Sequence, residues 1–186
     1  MSRRDKSARF KEISIALIIA YIAEHIEDAF TQFLHLYTNT EYPKTDLTPG
    51  IISSMIASVG IVGLGDKANP ITSSFFATGL IVVIIEVYNN IKNGKEIDYD
   101  NIVKSFIYDS SFIAIITYFY DKFLDVLKQK QRKHYCGDVY EVVKGVIENL
   151  PIALYFGYRA FEANIKEVIE EKNSKTISNK EYKINK

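Results

Sequence analysis

Residues Thr48 to Leu64 read TPGIISSMIASVGIVGL, and residues Phe75 to Tyr88 read FFATGLIVVIIEVY. The first stretch carries no charge between Leu47 and Gly65, and the second carries only Glu86. A helix that is apolar on every face is buried in a core or surrounded by lipid. The connection GDKANP, Gly65 to Pro70, is too short for anything but a tight turn. The two stretches therefore predict a helical hairpin, and its dryness decides the fold class: all-α, a small helical bundle.

Working outward, both partners of the hairpin have start signals. Thr48 and Pro49 fit an N-cap and first-turn pair, as do Asn69 and Pro70. The first of these helices is predicted over 48–64 and the second over 71–91. In a window of roughly 19 residues these two segments are expected to pass a membrane-transfer threshold, and the remaining helices to fall short of it.

Upstream, a helix is predicted over about 10–37. Its block Ile13 to Ala23, ISIALIIAYIA, is wholly apolar before the chain turns polar at Glu24. The turn-forming TNTEYPKTDLTPG ends it before Pro43. Downstream of the hairpin, NNIKNGKEIDYDN is a polar loop. A fourth helix is predicted over 99–131, with Ile102, Phe106, Ile113, Ile116, Tyr120, Phe123 and Leu127 recurring mostly at three- and four-residue steps. A fifth is predicted over 138–172, amphipathic, with Pro151 inside it. Residues 173–186 are expected as a solvated polar tail, so residues 1–172 form one domain.

Composition excludes several function classes. The 23 basic and 23 acidic residues of the 186 cancel, which argues against a nucleic-acid partner held by bulk phosphate attraction. Cys136 is the sole cysteine, so neither an intrachain disulfide nor a multi-thiolate zinc site is available. Phosphate-loop, kinase, hydrolase and zinc-protease motifs are missing. His134 and Cys136 lack a third group, and no cofactor and no enzyme activity are expected.

The expected setting is a bilayer, with four spans, both termini cytoplasmic and the fifth helix either along the interface or packed back on the bundle. Two basic clusters support this parity: Arg3, Arg4, Lys6, Arg9 and Lys11, and Lys128, Lys130, Arg132 and Lys133. A soluble cytoplasmic bundle with a dry central hairpin is the alternative.

The sharpest chemical feature is the run Glu24, His25, Glu27 and Asp28. Acids on adjacent turns ligate cations or relay protons, and histidine titrates near neutrality. Glu86, Asp109 and Glu148 are lone acids in or near apolar helices, placed to converge on that run as an ion or proton path. A di-metal bundle would need Glu-x-x-His motifs, which do not occur; the metal preference stays unassigned. In the bland alternative the first helix simply emerges into water at Glu24. Ser54 and Ser58 fit a small-xxx-small pattern and are expected to mediate a homo-oligomer. The fifth helix and tail are expected to offer a surface to a protein partner. The expected role is structural or accessory, with cation or proton conduction and a soluble interaction domain as alternatives.

Overall fold

The computed structural model describes residues 3–43, 46–64, 69–131 and 137–184. Among them are five helices and no strand: α1 Arg3–Tyr37, α2 Thr48–Leu64, α3 Pro70–Lys92, α4 Tyr99–Gln131 and α5 Asp138–Ile184. The all-α bundle expected from the hairpin is what the chain forms.

Local chemistry fixes the helix ends. Asn69 is the N-cap of α3; its side chain accepts a hydrogen bond from the Thr72 amide at 2.7 Å, with Pro70 in the first turn. At α2 the capping carboxylate comes from Asp46, which accepts from the Thr48 amide at 3.0 Å. Thr48 is thus the first helical residue rather than the cap. α1 and α3 both close with paired backbone bonds of the Schellman kind. Thr40 and Asn39 donate back to His35 and Leu36, and Lys95 and Gly94 donate back to Asn90 and Ile91. Each motif needs one residue in the left-handed region, supplied by Asn39 (φ 53°) and Gly94 (φ 62°).

Two helices exceed their expected length. α1 begins at Arg3 because RRDKSAR contains no breaker, and α5 runs on to Ile184 through the stretch expected as a tail. No glycine or proline occurs after Gly157 to stop it. His134 and Cys136 lie outside the described residues, as do Arg132 and Lys133 of the second basic cluster.

Short connections set α1 to α4 in sequence, each packed on the next, and α5 closes the ring. α5 packs along α1 and makes a thinner seam with α4. The α1–α5 pair is parallel and in constant register. Lys11 pairs with Asp138, Ile19 packs on Gly145, Thr31 bonds Gly157, and the His35 ring meets Phe161 edge-on at 5.0 Å. A helix rises 1.5 Å per residue, so this contact runs for about 36 Å. Of its two expected placements, α5 therefore takes the one packed back on the bundle. The start of α1 and the end of α5 lie at opposite ends, so the geometry gives no support to termini on one side.

The hydropathy expectation needs one correction. Among the described residues, the helices long and apolar enough to cross a membrane are α3, Pro70–Lys92, and α4, over Tyr99–Asp125, with mean hydropathy 1.9 and 1.3. α2 is apolar but too short to qualify. α4 passes because Asp109 and Asp121 flank an uncharged run of eleven residues, 110–120.

Candidate functional site

The interior mixes polar and apolar groups. Buried side chains include Glu24, Thr31, His35, Ser53, Ser54, Thr78, Asp109, Ser110 and Thr117, alongside apolar residues such as Ile102, Ile113, Ile152 and the cluster of Ala57, Ala77 and Ile81. Buried acids in such a setting need partners.

Glu24 has a purpose-shaped notch. Gly50 and Ser54 stand one turn apart on α2. The Ser54 hydroxyl donates to Glu24 Oε1, and a Cβ on Gly50 would fall 2.2 Å from Glu24 Oε2. The carboxylate fits because residue 50 has no side chain. Glu24 is 5% exposed, so α1 does not emerge into water there. Ser54 packs on α1 of the same chain, and Ser58 lines a small space beside that helix.

The expected run of four divides. Glu24 and Glu27 turn inward. His25 faces out, edge-on to Tyr21 at 4.5 Å. Asp28 accepts from Gln32 at 2.8 Å and from the Tyr42 phenol. Of the lone acids, Glu86 and Asp109 join Glu24 and Glu27 around one cavity, whereas Glu148 pairs with Lys144 at 3.6 Å.

That cavity has a volume of about 420 Å³ and opens at the end of the bundle where α2 begins and α3 ends. α5 supplies its cations, which sequence reading did not single out for this site. Arg159 stands 3.6 Å from Asp109 and 3.9 Å from Glu162, and Lys166 is 2.7 Å from Glu162. Asp109, 3% exposed, also accepts from the Tyr155 phenol. On the opposite wall Glu24, Glu27 and Glu86 form no ion pair among the described residues. Asp46 sits at the rim, its carboxyl held below the usual range by the hydrogen bonds from Thr48. The walls thus divide into a neutralised α5 side and an acidic α1–α3 side.

Glu24 and Glu27 also border a second, smaller space of about 40 Å³, lined by small residues such as Ala20, Ala23, Ala57 and Ala77. A water needs roughly 10–15 Å³ of such space, so about three fit. The two glutamates thus line both spaces. No group of three His, Cys, Asp or Glu among the described residues is arranged to hold a metal.

The missed residues gave weak signals. Tyr155 and Arg159 are one turn apart on α5, and only their tertiary partner Asp109 distinguishes them. Gly50, two residues past the start of a helix, was the better clue, since glycine is a poor choice there without a close approach. Comparison with family models, curated proteins and solved structures finds no match to this chain.

Proposed function

We propose that the chain is a membrane-embedded helical bundle with a non-catalytic role, working by binding a positively charged group in the cavity between α1, α3 and α5. One observation carries the reading: large apolar side chains cover the outside of α2, α3 and α4 while acids are enclosed within the bundle. Only 33% of the apolar windows of α3 and α4 is buried. The outward faces present Ile52, Ile56, Phe76, Leu80, Ile107 and Phe119, all between 38% and 55% exposed except Phe119 at 66%. The inside holds Glu24 and Asp109. Exposed apolar surface on this scale is a liability in water and an asset in lipid. Acids enclosed in such a bundle mark a functional centre by default.

The charged helix fits this arrangement. On α5 Arg159, Glu162 and Lys166 border the cavity mouth and pair with one another and with Asp109, which lowers the cost of placing them in the bundle. Carbonate extraction tests the setting: the protein is expected in the membrane pellet. Release to the supernatant would favour the soluble bundle, with the exposed apolar face covered by other protein.

Conduction of a cation or proton is the second reading, favoured by Glu24 and Glu27, which line both the wide and the small space. Proteoliposome flux decides it. Flux abolished by Glu27→Gln supports a conducting path; absence of flux in the unaltered protein supports binding alone.

A further inference from the structure

The end of α1 is built around one buried imidazole. His35 sits in the last turn of α1 and is 2% exposed. Its Nδ1 lies 2.8 Å from the Thr40 hydroxyl, and its Nε2 is buried with no hydrogen-bond partner among the described residues. Aromatic rings meet it edge-on from two elements: Phe161 of α5 and, at 5.6 Å, Tyr42 of the α1–α2 connection. The same contacts fasten that connection to the bundle. Thr40 engages Nδ1 and lies 3.0 Å from the Thr38 hydroxyl. Tyr42 covers the ring and donates its phenol proton to Asp28 on α1. A few residues on, Asp46 and Leu47 line the cavity.

The neutral ring fits this place and the charged ring does not. Neutral imidazole has one N–H and one acceptor nitrogen, whereas the imidazolium has two N–H donors. A bare acceptor nitrogen costs less in a buried site than an N–H carrying positive charge. Among the described residues no carboxylate reaches either ring nitrogen. The titratable and charged groups on the surrounding elements have other partners or face solvent. On α1 Asp28 accepts from Gln32 and Tyr42. On the connection Glu41 is exposed. On α5 Glu162, next to Phe161, lies 2.7 Å from Lys166 and 3.9 Å from Arg159. The C-terminal end of a helix attracts a cation. Here, though, the carbonyls of Leu34, His35 and Leu36 already accept from the amides of Thr38, Thr40 and Asn39.

We infer that His35 is a pH-operated latch for the α1–α2 connection. Unprotonated, it holds Thr40 and Tyr42 against the bundle. Protonated, it leaves the interior, and the connection loosens together with Asp46 and Leu47 at the cavity. The sign follows from linkage: the released form binds the proton better. The latched form is therefore fully favoured above the free-histidine value of about 6.5 and loses ground as pH falls below it. This device needs no bilayer, so it goes beyond the binding role proposed above and is tested separately from it.

A spin label on the connection reads the latch. The full-length chain carrying Cys136→Ser and Glu41→Cys, with a nitroxide on residue 41, is compared by electron paramagnetic resonance at about pH 7.5 and about pH 5.0. The label should be immobile at the higher pH. Below about pH 6.5 the ratio of mobile to immobile label should rise by about tenfold per pH unit, as uptake of one proton requires. His35→Phe should keep the label immobile at both values; should that variant fail to fold, the neutral His35→Gln gives the same reading. A label placed instead by Ile107→Cys, on the outward face of α4, should not respond to pH. A residue 41 label that stays immobile in acid overturns the latch. So does an equal acid response in the His35 variants, which would assign the release to a carboxylate such as Asp28. So does acid mobility at residue 107 as well, which would mean that the whole bundle loosens.

Discussion

The Thr31 hydroxyl on α1 shares its one proton between the Gly157 carbonyl oxygen on α5, at 3.0 Å, and the Glu27 backbone carbonyl oxygen of its own helix, at 2.9 Å. The two backbones come this close because Gly157 has no Cβ. One placed there would lie 2.8 Å from the Glu27 oxygen and 3.3 Å from Thr31 Oγ1. The clash is with backbone, which cannot rotate aside.

Gly157→Ala should therefore destabilise the bundle. Alanine gains about 1 kcal/mol over glycine inside a helix, but overpacking against a fixed carbonyl costs about 1–3 kcal/mol. The net loss is small for alanine and larger for Gly157→Val. Denaturant unfolding in detergent measures it; a more stable alanine variant would show that the helices part easily.

Ser54→Ala should cost about 1–3 kcal/mol, because it leaves the Glu24 carboxylate short of a buried donor. Glu24→Gln in the same background should recover part of the loss. Unfolding free energies of the four proteins in this double-mutant cycle give the coupling. A coupling of zero would show that the notch does not hold the carboxylate.

Asp46→Ala should lower the thermal midpoint at neutral pH by removing the cap of α2. The folded carboxyl titrates below its unfolded value of 3.8. Its stabilisation is thus complete above that value and lost as pH falls through the folded one. The gap between Asp46→Ala and the unaltered protein should close in strong acid. A gap that persists there would assign the effect to something other than the carboxylate.

Removal of residues 173–186 should leave the thermal midpoint unchanged. On the α1–α5 register Tyr37 stands level with Ala163, and Glu167, Val168 and Ile169 are already exposed. The end of α5 thus outruns its partner helix. A marked drop in the midpoint on truncation would reveal a partner for this segment.

Legibility in the sequence differed with the distance over which each feature is decided. Thr48–Leu64 and Tyr99–Gln131 agree with the expected bounds because caps, breakers and periodicity are local. The end of α5 was misjudged because polarity was read as lack of structure, although nothing there breaks a helix. Glu24, Glu27, Glu86 and Asp109 stood out as acids in apolar surroundings, and they do share a cavity. Their partners did not stand out. Arg159 and Tyr155 lie some 50 residues from Asp109, and no spacing announces such a meeting. The Ser54–Ser58 pattern reported a close approach correctly but is silent about which helix approaches.

The constant register between the first and last helices also sets a schedule. α1 leaves the ribosome with the face meant for Gly145 and Gly157 uncovered, and its complement is still 126 residues away. At about 5–20 residues per second, that face waits roughly 6–25 seconds for its partner. During this interval the nascent chain exposes Ile19, Phe30 and Thr31 to whatever is near, so its early life calls for a chaperone or an insertion machinery that shields one helix until the last arrives.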